Sequence, residues 1–350
     1  MKLGVRIIFA LVIIGGLAWF FFNKSQDKNS AVSEVVTTQQ VDMNAAGAVQ
    51  EEAVNYEIIP REELYNTKDP VAVEMLAELK SRYKDNFLKF VSEVKSTNAK
   101  MVFCWLTTEV GNAETIIQRE GKKFIIQLCK ENNVEFLDCS NLFIGHKPEE
   151  LTYYPVDGHL NKEGARVVAE AMAKQIDKFS SVKSDKTYTD AERPSTFGDF
   201  EPNLNEVRDG GKNLPYRIKI NSQGLRMDYD LKFPKKKQRV LLIGDSGFFF
   251  PFLDNEKTGT GLLQARYADK EIINASNWGF SIDDYLSIWT EKVKYTEPDI
   301  ILLQSTGDDI ADQYFTHRMR YSRNKDKVQP TELEKKFYAV LEQNAANTTK

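Results

Sequence analysis

The chain has 350 residues, of which 41% are hydrophobic and 28% charged, with a net charge of −4 and an isoelectric point of about 5.7. This length suits one large domain, or two small ones, plus tails. The acidic balance argues against nucleic acid or an anionic membrane surface as a partner. Three cysteines, Cys104, Cys129 and Cys139, have no C-x-x-C spacing, so we interpret them as small buried hydrophobes and not as a disulfide framework.

The N-terminus predicts a membrane anchor. Lys2 and Arg6 precede an unbroken apolar run over residues 7–22, which with its flanking residues approaches the roughly 20 residues that a bilayer core requires. A cleaved signal peptide is the alternative, but no small-x-small cleavage site directly follows the run. We therefore predict a signal anchor over residues 1–22. It implies a single-pass protein of the cell membrane whose remaining chain is extracytoplasmic.

The polar residues 23–66 show little periodicity and predict a flexible linker. From Asp69 onward, amphipathic helical patterns alternate with short apolar runs, which is typical of parallel strands covered on both faces. The predicted strands are 100–107, 134–140, 239–246, 271–276 and 299–305.

The first two strands are too few for a sheet of their own. We therefore predict one α/β domain over residues 67–345, a three-layer, doubly wound sheet of five parallel strands. Its halves, 67–178 and 213–345, are joined by a polar loop over 179–212. A β-hairpin is also predicted, with strands over 216–220 and 225–229 around the turn Asn221-Ser-Gln-Gly224.

Candidate chemistry lies where ligands bind in open α/β sheets, beyond the carboxyl ends of the strands. Three predicted strands end there in Gly244-Asp245-Ser246, Asn277-Trp278-Gly279 and Thr306-Gly307-Asp308-Asp309. A lone G-D-S tripeptide also fits an ordinary turn. Its position directly after an apolar strand favours a nucleophilic serine, because a sharp turn there exposes the hydroxyl.

A serine hydroxyl needs a base to take its proton. Of the three histidines, His159 lies in Asp157-Gly-His159, where the carboxylate can fix the imidazole tautomer and leave the other nitrogen for the serine. The alternative is that Asp157 and Asn161 cap the next helix and His159 is a surface residue. We interpret His146 and His317 as surface residues in polar loops. No residue cluster has metal-ligand spacing, so no metal or other cofactor is predicted.

Together these segments resemble a family. RVLLIGDS resembles the serine block of the SGNH (GDSL) hydrolase superfamily, NWG its glycine block, TGDD its G-x-N-D block and YPVDGHLNKEG its Asp-His block. Ordinary members carry the serine first, whereas here Asp157 and His159 precede Ser246. That order resembles the SGNH-like domain of the alginate O-acetyltransferase family. It implies a circularly permuted SGNH/flavodoxin-like fold in which the last two strands of the usual order come first.

The resemblance also implies roles. Ser246 would be the nucleophile, His159 the general base and Asp157 its orienter, with backbone N–H groups of Ser246 and Gly279 in the oxyanion hole. Such donors are worth about 10²–10³ in rate each.

This sequence departs from the family pattern at the third block. Asp308 stands where the family has an asparagine donor, and an ionised carboxylate there would repel an oxyanion. Burial with Asp309 would favour a protonated Asp308 that can donate. Gly247 and Leu160 are further departures.

The function implied is an extracytoplasmic serine acyl-ester enzyme that transfers O-acetyl groups to a cell-surface polysaccharide, or hydrolyses them from it, through an acyl-serine intermediate. Transfer and hydrolysis differ only in the acceptor, and the permuted order and the anchor favour transfer. The expected partners are an acylated carbohydrate or acyl donor, the membrane through the anchor, and an envelope acetylation complex. The alternative is a catalytically inactive SGNH-like module that binds glycans or scaffolds an envelope complex, which Asp308 supports.

Overall fold

The computed structural model describes residues 63–65, 68–107, 110, 115–323 and 328–348. The predicted anchor over residues 1–22 lies outside this part of the chain, and so does the predicted linker over 23–66 apart from a short 3-10 helix, Glu63–Tyr65. Within the described residues, no helix combines the length and the apolar character that a membrane crossing requires.

Helices and strands alternate along most of the described chain. The helices are α1 (Pro70–Lys95), α2 (Ile116–Glu131), α3 (Pro148–Leu151), α4 (Lys162–Lys178), α5 (Ser246–Phe249), α6 (Gly259–Arg266), α7 (Ile282–Glu291), α8 (Phe315–Tyr321) and α9 (Glu332–Thr348). The strands are β1 (Lys100–Trp105), β2 (Glu135–Asp138), β3 (Asn205–Arg208), β4 (Tyr216–Lys219), β5 (Gln238–Ile243), β6 (Lys270–Asn274) and β7 (Ile300–Ser305).

Five of these strands form one sheet in the order β2-β1-β7-β5-β6, and each neighbouring pair is parallel. Strands β1 and β7 pair from Lys100 opposite Ile300 to Trp105 opposite Ser305. The two halves of the chain therefore share a single sheet. The predicted α/β fold with five parallel strands is confirmed.

Helices cover both faces of this sheet. On one face, Val102, Leu242 and Leu302 pack in a core that also takes in the buried side of α4 and part of α6. On the other face, the ring of Phe87 in α1 lies edge-on to Phe103 of β1, with centroids 6.0 Å apart. Because both faces are buried, β7 carries buried side chains along its whole length, as expected for a central parallel strand.

The predicted hairpin is wrong in its pairing. Strand β4 pairs antiparallel with β3, which lies inside the predicted loop 179–212, and residues 225–229 form no strand. The turn itself is present, since the N–H of Gly224 donates to the carbonyl of Asn221 at 3.2 Å. Beyond the turn, the alternating Leu225 and Met227 are buried, but the chain there is irregular. Leu225 and Met227 are therefore buried without strand pairing, and Arg226 between them is buried as well.

The segment after this turn is held in place by hydrogen bonds of the buried guanidinium of Arg226. It donates to the carbonyl oxygens of Phe249, Phe250 and Leu253 and to Oδ1 of Asn255. Burial lowers the pKa of Arg226 to about 10, so the group stays charged at neutral pH. Arg226 therefore ties the β3–β4 side of the molecule to the chain that follows Ser246.

We expect Arg226→Met to lower the free energy of unfolding by about 3 kcal/mol or more, because buried carbonyls without donors cost roughly 1–3 kcal/mol each. Urea denaturation measures this. Arg217→Met is the matched control, since Arg217 is exposed on β4 and its loss should cost at most about 0.5 kcal/mol. Equal losses of stability in the two variants would contradict the role given to Arg226.

Candidate active site

The sheet order creates a crevice at the carboxyl ends of β5 and β7. From β5 the chain moves outward to β6, and from β6 it returns across β5 to β7 on the other side. The connections thus diverge between β5 and β7, which is where open α/β sheets bind ligands. Ser246 follows β5 and Thr306 follows β7, so two of the sequence-predicted segments lie at this crevice.

The turn after β5 is shaped by hydrogen bonds to its backbone. The carboxylate of Asp245 accepts from the N–H of Gly247 at 2.6 Å and caps α5, the one-turn helix that Ser246 begins. From β7, Oε1 of Gln304 accepts from the N–H groups of Asp245 and Phe248 at 3.0 and 3.3 Å. Both strands at the crevice therefore hold the serine turn in place.

Close packing of Gln304 also explains the glycines of the turn. A Cβ on Gly244 would lie 2.3 Å from Oε1 of Gln304, and one on Gly247 would lie 2.8 Å from Cδ2 of Leu106. Gly247, a departure from the family pattern, therefore leaves room for the side chain of Leu106.

The predicted serine, histidine and aspartate come together in one hydrogen-bonded chain. Nε2 of His159 lies 2.9 Å from Oγ of Ser246, and Nδ1 lies 2.5 Å from Oδ1 of Asp157. The backbone N–H of His159 also donates to Oδ1 of Asp157 at 2.7 Å. With the carboxylate on Nδ1, Nε2 is left to accept the serine proton.

The loop that carries Asp157 and His159 is closed on itself. The N–H of Tyr153 donates to the carbonyl of His159 at 3.0 Å, and the N–H of Asp157 donates back to the carbonyl of Tyr153 at 3.1 Å. Asn161 caps α4 by accepting from the N–H groups of Glu163 and Gly164. The helix cap is thus Asn161, while the Asp157 carboxylate faces His159.

Lys212 completes the surroundings of Asp157. Its Nζ lies 2.6 Å from Oδ2 of Asp157, whose side chain is only 8% exposed. Burial by itself raises the pKa of Asp157, but the hydrogen bonds from His159 and Lys212 outweigh it and hold the pKa well below its usual value. Asp157 is therefore an anion at neutral pH. Lys212 was not predicted from the sequence, because it lies 55 residues from Asp157, in what was predicted as a loop.

Aromatic side chains line the histidine. The ring of Trp278 lies edge-on to the imidazole with centroids 5.2 Å apart, and Phe252 lies 6.1 Å away. Phe252 also contacts Tyr153 and Tyr216. Apolar rings around the imidazole lower the local dielectric, which strengthens the hydrogen bonds of the chain.

The glycine block lies beside the serine turn. The N–H of Asn277 donates to the carbonyl of Gly244 at 3.1 Å, and Gly279 follows with a left-handed φ of 65°. Glycine adopts this conformation at no steric cost. The segment that carries Gly279, the second predicted oxyanion donor, is therefore hydrogen-bonded to the turn that carries Ser246, the first.

In the segment that resembles the G-x-N-D block, the structure differs from the expectation that Asp308 is buried with Asp309. Asp309 is fully buried, and its carboxylate accepts from the hydroxyl of Tyr285 at 2.9 Å, whereas Asp308 is half-buried. Burial raises the pKa of Asp309 well above its usual range, and the nearby Asp245 adds to the effect. Burial also raises the pKa of Asp245, and the charge of Asp308 contributes in the same direction. Asp309, and not Asp308, is therefore the buried carboxylate.

The other two histidines lie apart from this chain of hydrogen bonds. His146 is exposed, with Nδ1 2.9 Å from a carboxylate oxygen of Glu150, in line with a surface residue. The prediction for His317 is wrong: it lies on α8, its side chain is 14% exposed, and Nε2 is 3.6 Å from Oδ1 of Asp312. The three cysteines are all buried and unpaired, as interpreted from their apolar surroundings.

In comparisons of sequence, neither a family model nor a curated protein matches the chain. In comparisons of structure, the chain is similar to the O-acetyltransferase domain of Pseudomonas putida AlgJ, with 13% identity over 67% of this chain and 84% of that chain, and a TM-score of 0.42. It is also similar to a structure of Bacillus cereus PatB1 with a sulfonyl adduct, with 11% identity over 67% of this chain and 88% of that chain, and a TM-score of 0.35. A further structure of Bacillus cereus PatB1 is similar with 12% identity over 67% of this chain and 90% of that chain, and a TM-score of 0.36.

Proposed function

We propose that the protein is a serine acyl-ester enzyme with Ser246 as nucleophile, His159 as general base and Asp157 as the carboxylate that orients His159. One observation carries the proposal: Ser246, His159 and Asp157 form a continuous chain with distances of 2.9 and 2.5 Å. A nucleophile bonded to a base, which is in turn held by a third group, is the arrangement that activates a serine hydroxyl.

The chemistry follows from these positions. His159 takes the proton of Ser246 as Oγ attacks the acyl carbonyl, and the ionised Asp157 stabilises the imidazolium that forms. We assign the backbone N–H groups of Ser246 and Gly279 to the developing oxyanion. The imidazolium then protonates the leaving alcohol, which departs and leaves an acyl-serine. An incoming hydroxyl, from water or from a sugar, attacks the acyl carbonyl and gives its proton to His159. His159 then returns this proton to Oγ of Ser246 as the acyl–Oγ bond breaks, and the acyl group leaves on the acceptor.

The substrate we propose is an O-acetyl ester on a cell-surface polysaccharide, with transfer to a sugar hydroxyl favoured over hydrolysis. The order Asp157, His159, Ser246 and its resemblance to the alginate O-acetyltransferase family support transfer. The apolar run over residues 7–22 supports a membrane anchor that places the site outside the cytoplasm, beside partners of an envelope acetylation complex.

A burst experiment with the full chain tests this function. With p-nitrophenyl acetate, we expect a burst of p-nitrophenol of about one equivalent of enzyme, because the acyl-serine accumulates before the acceptor arrives. Oligosaccharides added as acceptors should gain acetyl groups, detected by mass spectrometry, if transfer dominates. Free acetate alone would identify a hydrolase. Absence of both the burst and steady turnover would contradict the proposal and favour the inactive binding module.

The substitution Asp308→Asn tests whether the site is active or disabled in the natural chain. We expect Asp308→Asn to preserve or raise the rate on p-nitrophenyl acetate, because it removes a negative charge that acts on Asp245, the residue next to Ser246. Asp190→Asn, at an exposed acid, is the control for a general loss of charge. Turnover only in Asp308→Asn would mark the natural chain as a disabled relative. An inactive Asp308→Asn beside an active wild type would assign Asp308 an acidic role and contradict the expectation.

A further inference from the structure

The loop between β3 and β4 lies on the active site. Lys212 reaches Asp157, and Gly210 packs so closely on Phe252 that a Cβ at Gly210 would lie 2.3 Å from its ring. Gly210, Gly211 and Asn213 have left-handed φ values of 62°, 67° and 57°, a conformation that glycine and asparagine tolerate best. The shape of this loop is therefore encoded by its own residues, and it delivers a lysine to the catalytic carboxylate.

The hydrogen bonds of Asp157 show what the lysine does. Oδ1 accepts from the ring and the backbone of His159, and Oδ2 accepts from Nζ of Lys212 at 2.6 Å. The side chain of Lys212 is 17% exposed, so the ion pair is shielded from water. A buried pair is costly to break from one side, because the remaining charge loses its partner. Lys212 thus restrains rotation of the carboxylate and keeps Oδ1 on the imidazole.

We propose that Lys212 is a positioning residue for the reaction, which holds the Asp157 carboxylate towards His159 and widens the acid side of the pH range in which His159 acts as a base. The proposal rests on the proposed function. Its electrostatic part follows from the sign of the charge, because a cation on the far side of Asp157 offsets part of the field that favours the imidazolium.

Several charged or titratable groups face this pair. They come from three segments: Asp157 and Tyr153 from the loop that also carries His159, Lys212 from the β3–β4 loop, and Asp245 from the serine turn. The negative charges favour the imidazolium form of His159, and Lys212 opposes it. Removing the charge of Lys212 should therefore keep His159 protonated to higher pH.

The test is the pH dependence of kcat/KM for p-nitrophenyl acetate in Lys212→Met, Lys212→Gln and Lys212→Arg. We expect the acid limb to move to higher pH by roughly one unit in the Met and Gln variants. In Lys212→Arg, which keeps the charge, it should stay where wild type has it. Lys219→Met is the matched control, since Lys219 is on β4 of the same hairpin, and its limb should not move. Thermal melting checks that each variant is folded.

The outcomes separate this proposal from the function on which it rests. A folded Lys212→Met with lower activity but an unmoved acid limb overturns the electrostatic role and leaves a structural contact. An acid limb that moves equally in Lys212→Arg overturns it as well, since the charge would not be the cause. If wild type forms no acyl-enzyme at Ser246, the proposed function fails and this proposal fails with it.

Discussion

We expect Ser246→Ala to lower kcat on p-nitrophenyl acetate by about 10⁴- to 10⁶-fold. Without Oγ no acyl-serine forms, and the ester can be cleaved only by direct attack of water. The backbone of the turn is held by Asp245 and Gln304, so the alanine variant should fold as wild type does.

The measurement is the initial rate of p-nitrophenol release by purified full-length protein. Ser222→Ala, at an exposed serine on the turn after β4, is the matched control and should retain the wild-type rate. An unchanged rate in Ser246→Ala would show that the observed esterase activity arises elsewhere, and the assignment of the nucleophile would be wrong.

The second large effect is expected at the base and its orienter. His159→Ala should lower kcat about as much as Ser246→Ala, because the serine proton then has no acceptor. Asp157→Asn should lower it by about 10⁴-fold, since an amide can stabilise the wrong imidazole tautomer. In this chain the amide would also leave Lys212 without its anion, so we expect a loss of stability as well.

Combining the substitutions tests whether the groups act as one unit. The double variant Ser246→Ala/His159→Ala should be no slower than either single variant, because each already removes the whole pathway. His146→Ala, at the exposed histidine, should behave as wild type. Losses that multiply in the double variant would indicate independent roles and contradict the hydrogen-bonded chain as the catalytic unit.

The sheet was predictable from the sequence because buried parallel strands require unbroken apolar runs. MVFCW, VLLI and IILL are such runs, and they form most of β1, β5 and β7. Strand β3 was missed because its sequence, NEVR, is polar and its Val207 is exposed. The predicted strand over 225–229 has alternating apolar residues, but Leu225, Arg226 and Met227 are all buried, and the long-range hydrogen bonds of Arg226 cannot be read from local periodicity.

The residues of the candidate site were also predictable only in part. Ser246, Asp157 and His159 were found because short motifs place them at the ends of strands or two residues apart. Lys212 was not found, since nothing near a loop lysine signals a carboxylate partner 55 residues away. The choice between Asp308 and Asp309 as the buried acid also depends on how the 3-10 helix Gly307–Gln313 starts, where Asp309 bonds back to Thr306 and closes a capping box.

Covalent labelling tests the central claim most directly. A fluorophosphonate reacts with a serine only where a base and an oxyanion hole activate it. Incubation of the full chain with the probe, followed by proteolysis and mass spectrometry, should place one adduct on Ser246, and His159→Ala should abolish the adduct while the protein remains folded. An unlabelled wild type, or an adduct on another serine with Ser246 unmodified, would contradict the account.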